Sequence, residues 1–141
     1  MLFLLSAAVA TCVLFATDAF FGFASFRLLA TRQRLRQLHA YTEKREPLLA
    51  VVAMAATIAV AAGAGADQPR VACLAGGALV ALAAHLVLYL KSRCLMKTFD
   101  AAPVGSAEWY SRAAKLEATM VTRASLQAAA FICIIAAGIT R

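Results

Sequence analysis

An all-α integral membrane four-helix bundle is the fold this sequence predicts, and three observations predict it. The 141 residues are 63% hydrophobic and only 15% charged, too little polar surface to cover a soluble domain of this size. Four apolar runs each approach the ~20 residues that a helix needs to cross a bilayer. The basic residues, finally, gather in the two long connections between runs rather than spreading over the chain.

The first run spans Leu2–Leu29, but Asp18 interrupts it and Arg27 lies near its end, so its effective core is shorter than its extent. It has no basic start, and it continues past the ~7–15 apolar residues of a signal sequence, so it reads as a helix of the mature protein. The second run, Leu48–Ala66, opens after Pro47, a residue tolerated in the first turn of a helix because its missing N–H has no partner there. Asp67-Gln68-Pro69-Arg70 then forms a polar turn too short for anything but an antiparallel neighbour, Val71–Leu90. Gly63, Gly65, Gly76, Gly77 and many alanines along this pair suggest close helix packing. The fourth run covers Ala118–Thr140. Together these spans make one domain over residues 1–141.

The connections carry their own patterns. Leu35, Leu38 and Tyr41 or Thr42 recur at helical spacing against Arg32, Arg34, Arg36 and Lys44, which predicts either an extension of helix one past the membrane or a short amphipathic helix on its surface. In the second connection Ala102-Pro103-Val104-Gly105 is a break. Ser106 follows as an N-cap with Glu108 in the first turn behind it, and Trp109 and Tyr110 have the character of an interfacial anchor.

A net charge of +7 would suggest nucleic acid in a soluble protein, but its placement points instead to anionic lipid headgroups. Eleven lysines and arginines lie in the two long connections against two, Arg70 and Arg141, on the other side. By the positive-inside rule both connections are cytoplasmic and both termini lie outside, as in a multi-pass protein of a bacterial inner membrane. Cys12, Cys73, Cys94 and Cys133 share no metal-type spacing and read as small buried hydrophobes. No nucleotide, zinc-protease or nucleophile-elbow motif is present, no filter-like segment suggests a channel, and no cofactor is expected.

Function is concentrated in a few ionisable residues. A charge at membrane depth costs roughly 3 kcal/mol on insertion scales and usually faces a partner, a cavity or a substrate. Asp18 lies ~14 Å before Arg27, His85 ~9 Å before Lys91, and Arg123 ~9 Å beyond Glu117 at 1.5 Å rise per residue. Helices one, three and four therefore present Asp18, His85 and Arg123 in the same half of the bilayer. Asp18 with Arg123 is the expected ion pair, either a structural lock or part of a site in which Arg123 binds an anionic oxygen and His85 serves as general acid or base. Tyr89, one turn from His85, together with Glu117 and Trp109, is placed near such a substrate. His39, Glu43 and Glu46 have the i, i+4, i+7 spacing of a metal-binding helical face, against the simpler reading of charge alternation on a solvated helix with Arg36, Lys44 and Arg45.

Two resemblances extend this reading. Lys91-Ser92-Arg93-Cys94-Leu95-Met96, Glu108-Trp109-Tyr110, and Val121-Thr122-Arg123 leading into an alanine-rich last helix resemble the anthrone-oxygenase-like family of small four-helix membrane proteins. That resemblance implies cofactor-independent oxygenation of a lipophilic aromatic substrate, with Arg123 and His85 as oxyanion partner and base. Arg36-Gln37-Leu38-His39 ahead of helix two is similar to the membrane-bound glutathione transferase and eicosanoid family. Against both enzyme readings stands a non-catalytic role, in which the Ala/Gly faces contact other membrane subunits or further copies of the chain.

Overall fold

A computed structural model of the chain describes residues 2–19 and 44–140. They form four helices: α1 (Leu2–Ala19), α2 (Glu46–Ala64), α3 (Pro69–Asp100) and α4 (Ala107–Ile139), with no strand among the described residues. All four are long and apolar enough to cross a membrane. Each packs on its neighbour in the chain, and α1 closes the ring against α4. Most of the expected amphipathic segment, residues 20–29 of the first apolar run and the Arg36–His39 motif lie outside the described residues.

The turn between α2 and α3 shows why the two are neighbours. Gly65 takes φ of 54°, a left-handed conformation that a Cβ would oppose, and so ends α2. Gln68 N–H then donates to Ala64 O at 3.2 Å, and Pro69 opens α3. At the other end Gly105, with φ of 84°, re-aims the chain into α4. The expected cap is present: Ser106 Oγ accepts from Trp109 N–H at 3.1 Å.

The core between the four helices is built largely of alanine. Ala7, Ala53, Ala78 and Ala130, one from each helix, are fully buried and surrounded by Leu14, Leu82 and Ile134. The expected glycine packing is not what holds α2 against α3. A Cβ on Gly63, Gly65 or Gly76 would meet nothing within 4 Å, and one on Gly77 would only touch Cys133 Sγ at 3.7 Å. The glycines sit off the contact face, and alanine supplies the close approach. The cysteines likewise differ from expectation: Cys12, Cys73 and Cys94 are exposed on the outer surface of the bundle, and Cys133 is half-buried. That outer surface is apolar, with Leu5, Val9, Val51, Val80, Val87 and Ile132 all exposed.

The largest departure concerns the second connection. Lys91, Arg93 and Lys97 mark the end of the apolar run, not the end of the helix, and α3 continues to Asp100. Its 32 residues make ~48 Å, well beyond the ~30 Å of a hydrocarbon core. α4 likewise begins at Ala107 and runs unbroken to Ile139. The extensions pack as a helical hairpin through Met96, Leu116 and Met120, then through Phe99, Ala102 and Trp109. Trp109 stacks on Phe99 with ring centroids 5.2 Å apart, so it is a core residue of the hairpin, while Tyr110 is the exposed aromatic.

A candidate acid–base site buried among the four helices

Because neighbouring helices are antiparallel, the end of α1 and the start of α2 meet at one level of the bundle. Asp18 is the penultimate residue of α1, and Glu46 is the first of α2. α3 presents His85, Tyr89 and Ser92 at i, i+4 and i+7, one helical face. α4 presents Arg123 and Gln127 at i, i+4. All four helices thus contribute to a cluster in which Asp18, Glu46, His85, Ser92, Arg123 and Gln127 are each at most 2% exposed.

Arg123 organises it. Its Nη2 lies 3.0 Å from Asp18 Oδ2, and the same nitrogen makes an ion pair with Glu46 Oε1. Its Nη1 donates to Ser92 Oγ at 2.8 Å, and that hydroxyl donates to the Tyr89 carbonyl at 2.8 Å. The guanidinium also lies over the Tyr89 ring, 5.6 Å from its centroid, a cation–π contact worth about 2 kcal/mol when desolvated. Gln127 Nε2 donates to Asp18 Oδ2 at 2.9 Å and lies 3.2 Å from His85 Nδ1. The other imidazole nitrogen, Nε2, is 3.5 Å from Glu46 Oε1. Glu46 Oε2 and Gln127 Oε1 are buried with no hydrogen-bond partner.

The expected pairing of Asp18 with Arg123 is present, and His85 joins it through Gln127 and Glu46. Tyr89 borders the cluster. Glu117 is half-buried and has no ion pair among those of the described residues, and Trp109 belongs to the hairpin core, ~21 Å along α4 from Arg123. His39 and Glu43 lie outside the described residues. Glu46, expected with them on a solvated basic face, is instead 1% exposed and held by Arg123.

Sequence reasoning missed Ser92 and Gln127, and it placed Glu46 only on a separate metal-binding face with His39 and Glu43. Local charge alternation hid Glu46 among Lys44 and Arg45. Gln127 carried a usable signal: it is a lone amide, one turn after Arg123, in a run otherwise of Ala, Ser, Leu, Phe and Ile.

Asp18, Glu46 and His85 offer donor atoms within 4.8 Å of one another, close enough for one ion. The set fits a metal poorly, because the Arg123 guanidinium already lies against both carboxylates. A divalent ion would be pressed against a fixed positive charge in a low-dielectric interior. A cavity of about 90 Å³ lies elsewhere, between α1, α2 and α3 around Leu4, Val60, Ala64 and Val71, ~21 Å along α3 from His85. Its lining includes no titratable side chain.

Fold and site together define a class: a four-helix bundle of membrane-length helices around a buried, ionisable centre. Compared with known proteins, the chain matches no family, no curated protein and no solved structure.

Proposed function

We propose that this chain is a small multi-pass membrane enzyme that performs proton-transfer chemistry on a lipophilic, carbonyl-bearing substrate reaching the cluster from the bilayer. The observation that carries this reading is the set of buried polar atoms left without hydrogen-bond partners, Glu46 Oε2 and Gln127 Oε1, beside an imidazole whose Nε2 meets only a long contact. Each such atom costs about 1–3 kcal/mol, so a cluster kept only as a lock between helices would be expected to satisfy them. His85 handles the proton, Glu46 lies against it at 3.5 Å, Arg123 and Gln127 fix their geometry, and Tyr89 borders the substrate.

The resemblance to anthrone oxygenases names a first substrate. An anthrone and dioxygen give an anthraquinone and water, a reaction that begins with enolisation and so needs acid–base help. Purified protein in lipid nanodiscs is expected to consume oxygen and produce quinone absorbance from anthrone. His85→Ala is expected to lower that rate by about a hundredfold, within the usual contribution of a general acid or base. A rate in His85→Ala equal to that of the parent protein would sink the acid–base reading.

The saturation of Arg123 by Asp18, Glu46 and Ser92 favours a second reading, a non-catalytic subunit whose buried ion cluster locks the helices. Native mass spectrometry separates the two: defined partner chains support the subunit, a retained lipophilic ligand the enzyme.

For orientation, the distribution of basic residues supports both termini outside in a bacterial inner membrane, with the α3–α4 hairpin and the cluster toward the cytoplasm. A periplasm-dependent phosphatase fused after Arg141 is then expected to be active. A fluorescent reporter that folds only in the cytoplasm, fused at the same point, is expected to be dark, and the reverse pattern overturns the assignment.

A further inference from the structure

The hydrogen bonds of the cluster fix where its protons are. From them we infer that Glu46 is held in the bundle as a neutral carboxylic acid, its proton on Oε2, and that this O–H is the donor offered to a substrate oxygen. The second half of this inference rests on the enzymatic reading above; the first does not.

Gln127 is the key. Its amide nitrogen has two N–H groups and two acceptors, Asp18 Oδ2 at 2.9 Å and His85 Nδ1 at 3.2 Å. Exchanging the amide oxygen and nitrogen would press Oε1 against a carboxylate oxygen, so an ionised Asp18 sets the orientation. Asp18 is ionised because donors surround it: Arg123 Nη2 lies 3.0 Å from Oδ2 and 3.4 Å from Oδ1, and Gln127 adds its N–H. With Nδ1 accepting from Gln127, the single imidazole proton of His85 is on Nε2, pointing at Glu46 Oε1 3.5 Å away.

That leaves Glu46. Among the described residues, Asp18 from α1, His85 from α3, and Arg123 and Gln127 from α4 are the charged and polar groups of the cluster around it. With both carboxylates ionised, these side chains carry one net negative charge in an interior where an uncompensated charge costs several kcal/mol. One proton cancels it. Asp18 accepts from Arg123 and Gln127, and His85 Nδ1 already faces an N–H, so neither has room for that proton. Glu46 Oε1 pairs with Arg123 Nη2 and faces the imidazole Nε2 only at 3.5 Å, while Oε2 is buried with no hydrogen-bond partner. Although Glu46 opens α2, its carboxyl draws no hydrogen bond from the free N–H groups of that helix end, the contact that would otherwise favour its anion. Oε2 is therefore the site of the proton.

A buried carboxylic acid kept neutral is an effective hydrogen-bond donor to a carbonyl or enolate oxygen. The Arg123 guanidinium, which sequence reasoning assigned to that oxygen, is committed to two carboxylates. The oxygen-binding role passes to Glu46, and the ligand class is a lipophilic molecule with a carbonyl or enolate oxygen.

Infrared difference spectroscopy of the protein in nanodiscs at neutral pH tests the protonation state. A carbonyl stretch of an un-ionised carboxyl, above the amide I band, is expected in the parent protein, retained in Asp18→Asn and lost in Glu46→Gln. Absence of the band from the parent protein, or its survival in Glu46→Gln, overturns the inference, as does a stoichiometric divalent metal in the purified protein. Absence of the band from the parent spectrum by itself overturns the first half, even if a variant fails to fold or no anthrone is turned over.

The donor role is read separately. Glu46→Gln keeps an N–H donor and is expected to stay within about tenfold of the parent rate, whereas Glu46→Met is expected to fall by about a hundredfold or more, the cost of removing one donor to an oxyanion. Equal losses in the two variants overturn the donor role.

Discussion

Arg123→Met is expected to destabilise the bundle more than any other single replacement in the cluster. The residue is fully buried, and its guanidinium is the one permanent positive charge in the cluster, in contact with Asp18 and Glu46. Removing it strands the Asp18 carboxylate in an apolar interior, a change that costs about 3–5 kcal/mol when one partner of a buried pair is lost. Against a typical total stability of about 5–15 kcal/mol, that is a large fraction. The melting temperature in detergent should fall sharply, and the yield of monodisperse protein with it. Replacing both partners removes the stranded charge, so Asp18→Asn with Arg123→Met is expected to recover most of the loss. The double-mutant cycle checks this: a coupling near zero would mean that the pair contributes nothing and that the cluster is held by other contacts. Glu46 should not need replacement for that recovery if it is already neutral, which ties the cycle to the proton assignment by a route independent of spectroscopy.

Much of this arrangement was legible before any coordinates. Run length located the helices because an apolar surface facing lipid leaves a strong compositional trace. Asp18, His85 and Arg123 stood out because a charge in such a run is conspicuous, and a fixed rise per residue sets its depth. The place of Glu46 in the buried cluster was not legible for the opposite reason. Glu46 lies in a segment rich in both charges, where a residue that turns inward looks like its solvated neighbours, and only the antiparallel return of the chain brings it to Arg123. The ends of α3 and α4 were misread for a related reason. Lys91, Arg93 and Lys97 report where the apolar run stops, but a helix stops only where something breaks it, and nothing does before Pro103. Trp109 follows from that: on a continuous helix, it is carried inward to Phe99 rather than out to the membrane surface. Small residues were correctly read as packing residues in kind. Which of them pack depends on helix rotation, and run length carries no information about that.

Ala53→Leu tests that rotation and couples the apolar core to the site. Ala53 is fully buried on α2 and packs in the same cluster as Ala7, Ala78 and Ala130. A leucine there has no space, and overpacking a close-packed core typically costs about 1–3 kcal/mol through forced side-chain and backbone shifts. Ala53 is also seven residues, two helical turns, from Glu46 on the same face of α2. Pushing α2 outward at Ala53 therefore draws the Glu46 carboxyl away from Arg123 and His85. The variant is expected to lose the proposed anthrone turnover as well as melting temperature. Gly76→Ala is the matching control. Its added methyl meets nothing within 4 Å, and restricting the unfolded chain should leave stability unchanged or raise it by about 0.4–1 kcal/mol. Ala83→Leu, on an exposed position of α3, should likewise be silent. If Gly76→Ala destabilises while Ala53→Leu does not, the helices are rotated the other way and the glycines are the contact face. The carboxyl of Glu46 would then be turned out of the cluster, and the proton assignment would lose its geometric basis along with the packing.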